Sequence, residues 1–195
     1  MSYEYDVFLS YRRDPPVGEW VNNHFYPELI KWLPLEVNRD SKVFKDSEIL
    51  IPGALWPQAL RNALLRSRCL LCVWSPDYFW HEWCVAEWKS MLARQNQLGI
   101  GVQQNTMGLI CPVVFHDGQN FPDEVRGTQQ DDFRGYNIPS ASFSQTPRYA
   151  DFVQKIQRLA SGLAQLIQQA PPWQPGWPIE MPVPFTRPSP QMPRL

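Results

Sequence analysis

Trp83 and Glu87 stand four residues apart in the stretch Glu82-Trp83-Cys84-Val85-Ala86-Glu87-Trp88. On a helix this spacing puts an indole ring and a carboxylate on one face, a turn apart. The apolar run Cys69-Leu70-Leu71-Cys72-Val73-Trp74 and the breaker Ser75-Pro76-Asp77-Tyr78 come just before. That order reads as a buried strand delivering a helix at its carboxyl end. A carboxylate beside aromatic surface at such a point is where a doubly wound α/β domain places ligand chemistry. Taken alone, the heptapeptide fits a plainer arrangement better, with Trp83 in the core and Glu87 in solvent. A second group with chemical potential, Arg12-Arg13, follows the apolar run Tyr5-Asp6-Val7-Phe8-Leu9-Ser10-Tyr11. Solvated loop charge accounts for these arginines equally well in isolation.

The elements that must position these groups alternate along the chain. Apolar residues from Val17 to Leu33 follow a helical face, which Pro27 should kink or divide. Lys42-Val43-Phe44 reads as a second strand, 45–53 as a loop ending in Pro52-Gly53, and Leu55, Ala59, Leu60, Ala63 and Leu64 as the inner face of a helix. The helix carrying Trp83 extends through Leu92, and 99–108 reads as loop. Leu109 to Phe115 is a fourth strand, whose Pro112 favours an edge or entry position. His116-Asp117-Gly118 turns the chain out, and a fifth strand is expected near Phe133–Ile138. Thr146-Pro147 is a helix start, and Phe152, Ile156, Leu159, Ala160, Leu163, Leu166 and Ile167 give the clearest amphipathic pattern. Strand alternating with helix implies a parallel sheet covered on both faces.

Composition narrows the function. The chain has 195 residues, 44% of them hydrophobic, which suits one domain plus an appendage. Its net charge of -1 argues against broad electrostatic binding to nucleic acid or to an anionic membrane. No apolar run approaches the roughly 20 residues of a membrane span, and Met1-Ser2-Tyr3-Glu4 does not open a signal peptide. Cys69, Cys72, Cys84 and Cys111 fall in apolar segments without the partners of a metal site. Cys69 and Cys72 would point to opposite faces of a strand. Reduced, buried cysteines in a cytoplasmic protein are expected, with no metal. His24, His81 and His116 are scattered, no glycine-rich phosphate loop is present, and the acid cluster of a phospho-receiver is missing. Nine of residues 171–195 are proline, so this tail is an extended segment or linker. Its Trp173, Trp177 and Phe185 suit packing either on the domain or on a neighbour.

Three stretches together resemble the signatures of Toll/interleukin-1 receptor (TIR) domains: Tyr5–Tyr11, the loop from Asp46 to Pro52-Gly53, and Ser75-Pro76-Asp77-Tyr78 followed by Trp83-Cys84-Val85-Ala86-Glu87. The resemblance covers roughly residues 3 to 168 and is to the NAD-cleaving members, bacterial ones among them. It implies a flavodoxin-like α/β fold, a five-stranded parallel sheet with helices on both faces, over 1–170, with the tail at 171–195. The family divides into enzymes that cleave the nicotinamide–ribose bond of NAD, some cyclising the product, and adaptors that act by TIR–TIR contact. In the enzymes the essential glutamate stands in a Trp-Cys-x-x-Glu pattern, which puts the catalytic role on Glu87. The resemblance further implies substrate contacts at Tyr11, Arg12, Arg13, Phe44, Asp46, Trp56 and Trp83, with NAD as substrate and no cofactor. Self-assembly would run through the loop Ile49, Leu50, Ile51, Pro52 and Gly53, whose apolar tip departs from the family's acidic-aromatic pattern. Trp88 replaces a smaller aliphatic and is read as packing. A defence or signalling role is expected, under a sensor that is separate or fused, with the non-catalytic adaptor as the alternative.

Overall fold

The run Tyr5–Tyr11 forms strand β1, and every residue from Asp6 onward is buried, as a strand covered on both faces requires. The computed structural model of the chain describes residues 2–45, 56–100, 107–116, 121–126 and 128–183. Helix α1 (Val17–Trp20) passes through a wide π turn (Val21–Phe25) into α2 (Tyr26–Val37). Pro27 thus lies in the first turn of α2, and the helix divides at the expected place. A proline there lacks a donor that the preceding turn would otherwise have to satisfy, and the widened turn absorbs the mismatch. The helix ends on Asn38 in the left-handed conformation, φ 57°, which asparagine tolerates better than most residues.

Strand β2 (Val43–Lys45), helix α3 (Trp56–Leu65), strand β3 (Ser67–Trp74) and a short 3₁₀ turn (Pro76–Tyr78) lead to helix α4 (Glu82–Gln97). Strand β4 (Ile110–Val114), helix α5 (Asp123–Arg126), strand β5 (Asp131–Asp132) and helix α6 (Arg148–Gln169) complete the order. The five strands run parallel in the order β2-β1-β3-β4-β5. This is the flavodoxin-like sheet expected. Among the described residues no helix is long and apolar enough to cross a membrane.

Two expectations need correction. The fifth strand is only Asp131–Asp132, and 134–136 is a 3₁₀ turn, not strand. The ring of Phe133 inserts beside Trp20 and Phe152, each 6.0 Å away. Tyr136 N then bonds back to Phe133 O at 2.8 Å, while the Trp20 indole donates to Tyr136 O. Those bonds consume the backbone groups that a longer ladder would need. Thr146 does not cap α6; its hydroxyl donates to Phe143 O. Pro112 behaves as its missing donor requires, sitting just before the two residues of β4 that pair with β5.

Strand parity sorts the core into two halves. Val7, Leu9, Tyr11, Cys69, Leu71, Val73 and Val113 face α2 and α6. Phe8, Leu70, Cys72, Trp74 and Val114 face α3 and α4. Cys69 and Cys72 therefore lie on opposite faces, as their spacing implies. The second half is the one that carries Trp83 and Glu87.

The loop leaving β1 is held by a close approach. A Cβ on Gly18 would sit 1.8 Å from Arg13 O, and Gly18 N bonds to Asp14 O at 3.0 Å. Gly18→Ala must push the Arg12–Arg13 backbone away. We expect a stability loss of about 1–3 kcal/mol, the usual cost of overpacking a closed contact. Thermal unfolding of the two proteins checks it, and an unchanged midpoint would show that the loop yields freely.

Candidate active site

Ser10 is the polar interruption in β1, and its parity turns it toward α4. The residue is 1% exposed, and its hydroxyl donates to Glu87 Oε2 at 2.5 Å. The Tyr78 hydroxyl lies 2.8 Å from Ser10 Oγ. A serine hydroxyl has one proton, already directed at the carboxylate, so Tyr78 must be the donor in the second bond. Burial pushes the Tyr78 phenol well above its ordinary value, electrostatic interaction with Cys72, Cys84 and Glu87 adds to this, and the Ser10 bond opposes it. The phenol therefore keeps its proton, as a donor must. A relay Tyr78 → Ser10 → Glu87 thus ties the 3₁₀ turn, β1 and α4 together. Beneath it, burial raises the Cys72 thiol first, the Glu87 charge adds, and the Tyr78 bond opposes. That thiol stays protonated and unreactive.

Glu87 is 6% exposed. Trp83, Ala86, Glu87 and Ser90 follow the i, i+3, i+4, i+7 rhythm of one helix face. Together they line a pocket of about 80 Å³ against α3 and the chain segment at 179–182. The structure thus joins the two residues that their spacing paired, and Glu87 is not solvated surface. A larger groove, about 690 Å³, runs along the β4–β5 edge between Met107 and Asp131. None of Ser10, Tyr78, Trp83 or Glu87 lines it, so size alone is a poor guide to the chemistry here.

Arg12 and Arg13 leave the sheet beside the amino end of α4. Arg12 pairs with Asp14. His81 caps α4, its Nδ1 accepting from Cys84 N at 3.5 Å. Burial and then Arg12 lower the His81 pKa, Asp14 and Glu82 oppose, and Arg13 adds a little. The arginine loop and the start of the Trp83–Glu87 helix therefore share one charged neighbourhood.

Other expected contacts are not brought here. Tyr11 is 5% exposed within the α2/α6 half of the core. The residue after Ser10 on a strand must point to the other face, so Tyr11 does not reach the pocket. Phe44 is on the correct face but buried, stacked on Phe8 at 4.9 Å and edge-on to Tyr5 at 5.1 Å. It is packing. Asp46 and Ile49, Leu50, Ile51, Pro52 and Gly53 lie outside the described residues, as does the side chain of Trp56. Trp88 is buried and edge-on to Phe79, the packing role expected of it. Sequence reasoning missed Ser10 as the partner of Glu87, and Tyr78 as the partner of Ser10. Their signal was present: a serine of the helix-facing parity inside an apolar strand, and a tyrosine closing the next strand's exit. No group of three or more potential metal-ligating side chains occurs among the described residues.

His81 should titrate with a midpoint below the ordinary 6.5. A protonated Nδ1 cannot accept from Cys84 N, and a cation opposes the positive end of α4. Because the folded midpoint is depressed, this cap contributes above the unfolded midpoint and is lost as pH falls through the folded one. NMR titration of the imidazole and unfolding midpoints between pH 7 and 5 check this, with His81→Ala flattening the pH dependence. A midpoint at or above 6.5 would contradict the arrangement.

A family model described as TIR domain matches residues 7–166. The disease resistance protein RPV1 of Vitis rotundifolia is 28% identical over 132 residues, 68% of this chain. The match spans only 8% of that much longer relative. The crystal structure of the TIR domain of the Toll-related receptor TRR-2 from Hydra magnipapillata superposes with a TM-score of 0.50 at 19% identity. That likeness covers 77% of this chain and 98% of the other, and concerns the fold.

Proposed function

The chain belongs to the TIR domain family, and on that premise we propose that it is an NAD glycohydrolase with Glu87 as its indispensable carboxylate. The observation that carries the reading is the Glu87 carboxylate, buried and oriented by Ser10 at 2.5 Å, in a pocket that Trp83 also lines. A buried carboxylate costs free energy, so its position at a pocket wall calls for a ligand role. In the reaction the bond between ribose C1′ and the nicotinamide nitrogen breaks, and its electron pair leaves with the ring, which becomes neutral. Positive charge grows on the ribose, and Glu87, accepting from the ribose hydroxyls, stabilises it. Water adds its oxygen to C1′ and releases a proton, giving ADP-ribose. Trp83 supplies the apolar wall, and Arg12 and Arg13 are suited to the pyrophosphate. Tyr78 and Ser10 hold the carboxylate in register.

The plant relative's name, a disease resistance protein, supports placing this activity in defence signalling; a cytoplasmic site and a separate or fused sensor complete the proposal. One observation favours a second reading, the interaction module without catalysis. A pocket of about 80 Å³ is far below the roughly 300–1,000 Å³ of ordinary ligand sites. The enzymatic reading therefore requires an open state that is a minor population in isolation. Self-assembly through the Asp46–Gly53 loop would supply the energy for it.

Glu87→Gln is the sharpest variant, because its amide oxygen still accepts from Ser10 while the charge is gone. Nicotinamide release should fall by about 100-fold or more with the unfolding midpoint little changed. Equal rates in the two proteins would sink the assignment. The assembly step has its own measurement. Specific activity should rise with protein concentration, and Ile51→Asp should flatten that rise while leaving the fold intact. Activity strictly proportional to protein, with or without the substitution, would leave only the monomeric enzyme.

A further inference from the structure

After α6 the chain doubles back onto the domain. The Tyr3 hydroxyl donates to Pro171 O at 2.9 Å, and the Trp173 indole donates to Leu65 O at 3.2 Å. Further on, Glu180 N donates to Ser90 Oγ at 2.8 Å. Ser90 gives its own proton to Ala86 O, so a lone pair is free for this bond. Between these latches Trp177 is 4% exposed, with its ring centroid 5.0 Å from the guanidinium carbon of Arg94. Ile179 packs against the cluster formed by β3, α3 and α4. Five of residues 171–183 are proline, so an extended path costs little ordering entropy.

Arg94 explains why the tail docks at this place. It is fully buried and donates to Ser67 O at 2.9 Å and Leu64 O at 3.1 Å. Burial lowers its pKa to about 10, against the smaller opposing effects of Tyr3 and Cys69. Among the described residues its ion-pair partners include no carboxylate, and the face of the Trp177 indole takes that place. A buried cation at the end of the α3–β3 corner is thus completed by a ring from the tail. From that anchor the chain runs along α4, past Ser90 and toward Glu87. Ile179, Glu180, Met181 and Pro182 then form one wall of the Glu87 pocket.

We propose that residues 171–183 are an intramolecular strap that closes the Glu87 pocket and lifts to admit a nucleotide-sized ligand. The regulatory part of this rests on the pocket being the ligand site. Lifting removes a whole wall, which is the change that a pocket of about 80 Å³ needs. The latch at Ser90 lies one helical turn from Glu87, so docking and access are mutually exclusive states of the same helix face. A partner that takes up Trp177 or the prolines would switch the site on.

The test uses the full chain with Ala86→Cys as a reporter inside the pocket, alkylated by iodoacetamide and read at that position by mass spectrometry. Trp177→Ala removes the anchor, and Glu180→Pro removes the Ser90 latch without touching a core side chain. Labelling should be slow in the parent and rise by about tenfold or more in each variant. Nicotinamide release, measured without the reporter, should rise in step. Labelling rates within about twofold across all three proteins would overturn the strap, because the segment would then not govern access. Faster labelling with unchanged or reduced turnover, in a parent that does turn over NAD, would overturn its regulatory role and leave it a structural cover. Faster labelling with no turnover in any form would sustain the strap and remove the NAD reading instead.

Discussion

The carboxylate of Glu87 is buried against a hydroxyl that β1 offers it. An ionised side chain taken out of water must recover its lost hydrogen bonds, or it will refold its surroundings or take up a proton. Ser10 meets that requirement at 2.5 Å, and Tyr78 meets the same requirement for Ser10. The relay fixes the rotation of α4 against the sheet, since only one helical face can present Glu87 to β1. Trp83 and Ser90 are then placed by helical spacing, one turn to either side. Pocket and latch both follow from that single choice of face.

The two faces of the sheet have divided their work. The α2/α6 face is an aromatic core centred on Trp20, whose ring meets Phe25, Phe115, Phe133 and Phe152. It holds the fold. The α3/α4 face buries more polar chemistry: Ser10, Glu87, Ser90 and Arg94. Each of those groups has a partner far away in sequence, and for Ser90 and Arg94 part of that partnership comes from the tail. A face built on such bonds can open by releasing a few of them, whereas the aromatic face can open only by unfolding.

Much of this was legible in the residues. Alternating apolar runs and helical patterns imply the parallel sheet, and parity separates Cys69 from Cys72. Helical spacing pairs Trp83 with Glu87. The failures are equally physical. β5 is two residues long, too short for any periodicity, and Phe133 is drawn to an aromatic core rather than to a ladder. The resemblance implies substrate contacts at Tyr11, in a signature stretch, and at Phe44, which leads into the loop, but strand parity sends Tyr11 to the far face and Phe44 is buried against Phe8. The tail was ambiguous because tryptophans among prolines suit an intramolecular or an intermolecular site equally. Only the buried cation of Arg94, remote in sequence, decides for Trp177.

The proposed function requires that Glu87 meet the nicotinamide ribose in a pocket walled by Trp83. A crystal structure of Glu87→Gln grown with saturating NAD tests it most directly, since the substitution preserves the Ser10 bond and slows turnover. A ribose hydroxyl should lie within about 2.6–3.2 Å of the side chain at position 87. The nicotinamide should lie beside Trp83, with residues 179–182 displaced. NAD bound elsewhere with the tail still docked on Arg94 and Ser90, or no bound NAD at all, would contradict the proposed function.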